Sequence, residues 1–145
     1  MNVLVINGPN LNLLGTREPE IYGTRTLASI ADECMVVGEE LGLAVEFVQS
    51  NHEGELVDCI QGAMDTVAAI IINAAAYTHT SIAIHDALKA YPGVIVELHI
   101  SNPKEREAFR HVSYVEPVAD RVIAGRGVQG YVEALQILPG LLANA

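Results

Sequence analysis

Basic residues are scarce in this chain. Its 145 residues include 8 Lys and Arg against 18 Asp and Glu, a formal charge of −10. That balance excludes a binder of nucleic acid or of an anionic membrane surface, which needs clustered positive charge. It leaves open a small anionic ligand, because net charge does not describe a single pocket. Long apolar runs are missing as well. The longest, Val67 to Ile72, has six residues, against about 20 for a membrane-spanning helix. The opening residues Met1 to Ile6 carry no basic segment and run into Asn7-Gly-Pro-Asn10, so a secretory signal is not expected. Cysteine occurs only at positions 34 and 59, with no CxxC spacing. The expectation is a cytoplasmic protein with two buried thiols. Apolar residues, in contrast, make up 50% of the chain. That is too many for disorder and enough for one well-buried core.

The apolar residues alternate between two patterns. Short, nearly continuous runs occur at Val3–Ile6, Ala44–Val48, Val67–Ile72, Val94–Leu98 and Val122–Ala124, as expected of strands buried on both faces. Between them lie segments of helical period. Leu27 to Leu41 carries Cys34 on its apolar face, and Glu53 to Asp65 carries Cys59, with Asn51 as its expected N-cap. A third helix starts near Thr80-Ser81 and stops at Pro92-Gly93. A fourth runs from Val128 to Leu142, with Pro139-Gly140 expected to end or kink it. The alternation predicts a single α/β domain, residues 1–145: a flavodoxin-like three-layer sandwich on a five-stranded parallel sheet, order 2-1-3-4-5. Gly8 to Arg25 has no periodicity. A connection of about 18 residues in a compact domain tends to be functional, and residues 15–25 read as a lid.

Sites in open parallel sheets form beyond the C-terminal strand ends. Asn10, Asn73, His79, His99 and Ser101 all follow such ends. His99 is the best acid candidate, with Glu97 two residues back on the same strand face to orient its ring. The lid holds Arg17 and Tyr22. Tyrosine is a poor base at its ordinary pKa of about 10, but an adjacent guanidinium favours the phenolate, so the pair makes a sensible base.

Three tempting motifs carry less. Gly125-Arg-Gly-Val-Gln-Gly130 is a literal GxGxxG, but no second strand and acidic residue follow it as a dinucleotide fold requires. Its glycines read as close backbone packing. Ser81, His79 and Asp86 are the ingredients of a hydrolase triad, but there is no G-x-S-x-G elbow and Ser81 reads as a helix cap. The five histidines lack zinc spacing, so no metal is expected. A non-catalytic module that binds a nucleotide is the rival reading; it would need a phosphate loop after the first strand, where Pro9 offers no N–H.

Asn7-Gly-Pro-Asn-Leu-Asn-Leu-Leu-Gly-Thr-Arg-Glu-Pro-Glu-Ile-Tyr-Gly23 resembles the opening signature of type II 3-dehydroquinate dehydratase (type II dehydroquinase). The resemblance continues through Gln49–Asp58, Tyr77–Ser81, Glu97–Asn102, Arg106–Tyr114 and Gly125–Tyr131, in family order. It implies a flavodoxin-like subunit, usually twelve as four trimers, that dehydrates 3-dehydroquinate to 3-dehydroshikimate without cofactor or metal, in the shikimate pathway or in quinate catabolism. By the same resemblance Tyr22 is the base, Arg17 holds it ionised, Asn10 helps stabilise an enolate through a water, and His99, partnered by Glu97, is the acid. The substrate carboxylate is implied to sit with Asn73, Ser101 and the Ile100 backbone, with His79 and Arg110 on the ring hydroxyls. Asp86 is implied to reach the site of a neighbouring subunit.

The chain departs from the family pattern at three places. Ala74-Ala75 stands where the family usually has Pro-Gly or Gly-Gly, so a positive φ at position 75 would cost about 1 kcal/mol. His85 stands where an Arg is frequent, and Pro103 follows Asn102.

Overall fold

A computed structural model of the chain describes residues 1–16, 19–22 and 24–145, with only the backbone of residues 21 and 22. Five parallel strands form one sheet: β1 (Asn2–Asn7), β2 (Ala44–Gln49), β3 (Ala69–Asn73), β4 (Val94–Leu98) and β5 (Arg121–Ile123). Their order is β2-β1-β3-β4-β5, the expected flavodoxin-like arrangement. The helices are α1 (Pro19–Tyr22), α2 (Leu27–Glu40), α3 (Glu53–Gly62), α4 (Ile82–Ala90) and α5 (Gln129–Ala143).

Side-chain alternation along the strands builds two cores. Val3 and Val5 of β1 and Ile71 of β3 face one side, with Ile30 and Cys34 of α2 and Ala134, Leu135 and Leu138 of α5. Leu4, Ile6, Ile70 and Ile72 face the other, with Leu56 and Ile60 of α3 and Ile84 and Leu88 of α4. A one-residue slip would exchange the two sets, so the register is strongly specified. β1 pairs Val3 with Ala69 and Asn7 with Asn73, which brings the polar ends of both strands to one rim.

Several helix details differ from the sequence reading. Asn51 does not cap α3: the N-cap is His52, and Asn51 Oδ1 instead accepts from the Asn10 backbone N–H at 3.0 Å. Ser50 next to it receives the His52 N–H at 3.0 Å and bonds Glu55. α5 passes through Pro139 and continues to Ala143. Pro139 is exposed, and Leu141 and Leu142 still pack on the core, which offsets the missing backbone bond. Cys34 is buried as expected, while Cys59 is only half-buried. The aperiodic 8–25 stretch contains a 3-10 turn, Leu11–Leu13, that buries Leu11, and the short α1. Ser81 caps α4 as read, accepting from the Ile84 N–H at 2.9 Å. Among the described residues no helix is long and apolar enough to cross a membrane.

Candidate active site

The C-terminal ends of β1, β3 and β4 open into a cavity of about 200 Å³. Asn10, Asn73, His79, His99, Ile100, Ser101 and Arg110 all line it, together with Pro9, Leu11, Ala75, Ala76, Pro103 and Arg106. The described lining thus carries two guanidiniums and no carboxylate. Both guanidiniums also approach Glu107, outside the lining, at 3.7 and 3.0 Å, so the cavity gathers cations from an acidic chain with one carboxylate beside them. Arg17 lies outside the described residues, as does the Tyr22 side chain; the backbone of Tyr22 ends α1. Asp86 sits exposed on α4 and does not line the cavity of its own chain.

The crossing of the β1 and β3 ends is close. Gly8 donates its N–H to Asn73 O at 2.8 Å, and a Cβ on Gly8 would lie 2.3 Å from Ala74 O. No other residue fits. With the Gly8 N–H on Asn73 O, the Asn10 N–H on Asn51 Oδ1 and none on Pro9, residues 8–10 have no backbone N–H left for a phosphate. Asn10 adopts φ 69, a conformation asparagine tolerates. Ala75 is also left-handed at φ 52, so the position does need the conformation that glycine favours. Its N–H is held by Asn73 Oδ1 at 3.2 Å.

Asn73 is 4% exposed and fixed from beneath. Its Nδ2 donates to Tyr131 Oη at 3.2 Å, and Tyr131 donates to Asn7 Oδ1 at 2.6 Å. Burial pushes the Tyr131 phenol above its ordinary range, which keeps its proton in place. One Asn73 N–H remains for a ligand.

On β4, His99 Nε2 lies 2.5 Å from Glu97 Oε2. Both side chains are buried. The same oxygen accepts the Ser113 hydroxyl at 2.7 Å. His99 Nδ1, which bonds no described residue, is the ring nitrogen available to a ligand. His79 differs. Its Nδ1 bonds Val112 O at 2.8 Å, and a carbonyl only accepts, so that nitrogen carries the hydrogen. Burial lowers its pKa, against the opposing Val112 bond. His79 is therefore a neutral ring that offers Nε2 as an acceptor.

The GxGxxG loop secures the β4 end. Gly125, at φ 74, donates its N–H to Ser101 O at 3.1 Å, and Gly127 donates to Ile100 O at 3.0 Å. These N–H groups are spent on the fold, as the packing reading expects. Among the described residues no cluster of side chains suits a metal ion. The sequence reading gave no site role to Arg106 and Ser113, and took Tyr131 only as an inward-facing residue of the last helix. Arg106 lines the cavity and donates to Ser101 Oγ at 3.3 Å. It stands four residues before Arg110 in a chain poor in cations, the one signal that could have marked it.

Comparison with known proteins places the chain in a family. The family described as dehydroquinase class II matches residues 1–139. A 3-dehydroquinate dehydratase of Mesorhizobium japonicum is 58% identical over 141 residues, 97% of this chain and 98% of that protein. The 3-dehydroquinate dehydratase 2 of Pseudomonas aeruginosa is 60% identical over 134 residues, 92% of this chain and 90% of that one. The crystal structure of a type II dehydroquinase from Butyrivibrio crossotus superposes with a TM-score of 0.93 at 45% identity, covering 96% of this chain and 97% of that one. With the family model, these relatives and the superposed structure each covering almost its full length, the chain belongs to the class II dehydroquinase family.

Proposed function

We propose that this chain is a lyase that removes water from 3-dehydroquinate to give 3-dehydroshikimate. The observation that carries the reading is the cavity itself: a buried Glu97–His99 pair faces a wall of fixed amide and backbone dipoles, with Arg106 and Arg110 beside it and no carboxylate in the described lining.

The chemistry follows from what each group can do. The C–H beside a ketone is weakly acidic, so a base must remove its proton while fixed dipoles hold the enolate that forms. The described lining contains no tyrosine or carboxylate to serve as that base. We assign it to Tyr22 on the lid, residues 15–25, with Arg17 favouring the phenolate. Asn10 helps to stabilise the enolate. The enolate then expels the hydroxyl on the neighbouring carbon, which leaves as water once His99 has protonated it. Glu97 stabilises the imidazolium before that transfer and keeps the ring oriented. Asn73, Ser101 and the Ile100 backbone take the substrate carboxylate. His79 and Arg110 take the ring hydroxyls. Nothing in this scheme calls for a metal or cofactor. Closure of the lid over bound substrate excludes water and completes the base.

Asp86 points to assembly. Exposed on α4 and away from its own cavity, it can serve a site only in another copy of the chain. We therefore assign the active form to a homo-oligomer, trimers built into a dodecamer. Its workplace is the cytoplasm, in aromatic biosynthesis or quinate breakdown.

The test adds 3-dehydroquinate to the folded, assembled protein and follows the ultraviolet absorbance of the conjugated enone. Absence of that signal sinks the activity. Tyr22→Phe is expected to abolish turnover while substrate still binds; an active mutant sinks the base assignment. Light scattering that finds a fully active monomer overturns the shared-site role of Asp86.

A further inference from the structure

Ser113 sits at a junction that the reaction scheme does not use. Its oxygen accepts two backbone N–H groups, from Val115 at 3.2 Å and from Glu116 at 3.0 Å. Its single hydrogen therefore goes to Glu97 Oε2, 2.7 Å away. The residues on either side are pinned. His79 holds the Val112 carbonyl, Thr78 O takes the Tyr114 N–H at 2.9 Å, and His85 Nδ1 holds the Tyr114 carbonyl at 2.7 Å. The hydroxyl has little freedom to turn elsewhere.

Its consequence reaches His99. The Glu97 carboxylate is an acceptor, so the His99 ring supplies the hydrogen on Nε2, and Oε2 takes that hydrogen and the one from Ser113 together. The other carboxylate oxygen, Oε1, is buried and has no partner among the described residues. Nothing from that side holds the carboxylate in its rotamer, so Ser113 is the group that keeps Oε2 on the ring.

We propose that Ser113 is a positioning residue for the acid: its hydroxyl anchors the Glu97 carboxylate and thereby keeps one hydrogen of His99 on Nε2, so that in the protonated ring the second hydrogen, on Nδ1, is the one delivered to the leaving hydroxyl and the ring returns to its Nε2–H form. The proposal deepens the dehydratase reading and rests on His99 as its acid.

Three variants test it in the assembled enzyme: Ser113→Ala, which removes the donor; Ser113→Cys, of similar size with a weaker donor; and Ser113→Thr, which keeps the hydroxyl. Steady-state kinetics are read beside the imidazole nitrogen NMR shifts of His99, which report where the ring hydrogen sits. Loss of a hydrogen bond to a charged group predicts a kcat lower by about 10- to 100-fold in Ser113→Ala, with KM changed by less than about twofold. The nitrogen shifts should move away from a single Nε2–H form. Ser113→Thr should restore both. Should Ser113→Ala not fold, Ser113→Cys is expected to move both readouts the same way by a smaller amount.

A folded Ser113→Ala or Ser113→Cys enzyme with wild-type kcat and an unchanged His99 spectrum overturns the proposal. A fall in kcat with an unchanged spectrum overturns it too, since that is loss of the turn alone. Failure of the reading beneath it shows separately: His99→Ala that still dehydrates 3-dehydroquinate removes the acid, whereas the nitrogen spectrum answers for Ser113 without any turnover.

Discussion

Tyr131 reaches across the core from α5 and donates its phenolic hydrogen to Asn7 Oδ1 at 2.6 Å, while accepting from Asn73 Nδ2 at 3.2 Å. One hydroxyl thus ties the ends of β1 and β3 together beneath the cavity floor. Tyr131→Phe keeps the ring and its contact with Phe47 but leaves two buried amides short of a partner. The expected cost is about 1–3 kcal/mol, read as a lower urea midpoint. Because Asn73 is assigned to the substrate carboxylate, KM should rise more than kcat falls. A mutant with wild-type stability and KM contradicts this account of the floor.

That relationship marks the boundary of what the sequence reveals. The five strands were legible because each is a short apolar run; the central ones, such as Ile70-Ile71-Ile72, are buried on both faces, whereas the edge strands β2 and β5 are partly exposed. The gathering of Asn10, Asn73, His99 and Ser101 on one rim followed from their places just after strands. The pairing of Tyr131 with Asn7 was not legible, since 124 residues separate them. Periodicity marks Tyr131 as inward-facing but does not say what its hydroxyl meets. At Pro139 the helical period over Val128 to Leu142 was the better guide: α5 runs on to Ala143, and burial of Leu141 and Leu142 on the core overrides the local propensity to stop. The 3-10 turns at Pro103–Glu105, Ala108–Arg110 and Glu116–Val118 are too short for periodicity to register.

Ala75 carries a backbone conformation that disfavours a Cβ, at φ 52. The left-handed region costs an L-residue about 1–2 kcal/mol, and glycine returns about 0.5–1 kcal/mol of that through its larger unfolded-state entropy. Ala75→Gly is therefore expected to stabilise the protein by roughly 0.5–1 kcal/mol, measured by chemical denaturation. A destabilised variant would mean that the Ala75 methyl contributes more as a cavity wall than its strain costs.

The thiols should be inert. Burial pushes Cys34 up to about 12 and also raises Cys59, which is less enclosed. Only the thiolate reacts with an alkylating reagent. Near neutral pH the native protein should resist iodoacetamide at both positions, with Cys59 labelled before Cys34 as denaturant is added. Rapid labelling of native Cys34, followed by mass spectrometry, would show that α2 opens far more readily than its packing allows.

His79 gives the pH dependence. Its folded-state pKa is lowered below 6.5, first by burial, with His99 and Arg110 adding to the effect and the Val112 bond and Glu97 opposing it. Between that lowered value and 6.5 the native state binds fewer protons at this ring than the unfolded chain. Stability from this group is therefore complete above about pH 6.5 and is lost as pH falls through the window toward the folded pKa. The site changes in the same direction: protonation turns Nε2 from acceptor into donor, so a substrate hydroxyl can no longer donate to it and must give that hydrogen up elsewhere, and KM should rise on acidification. His79→Asn should remove its share of both effects, since an amide does not titrate there. The check is a ring titration by NMR together with urea midpoints of the wild type and the variant at about pH 7.5 and about pH 5.5. A His79 midpoint at or above 6.5 would mean that the ring is not held neutral against Val112, and the acceptor role would fall with it.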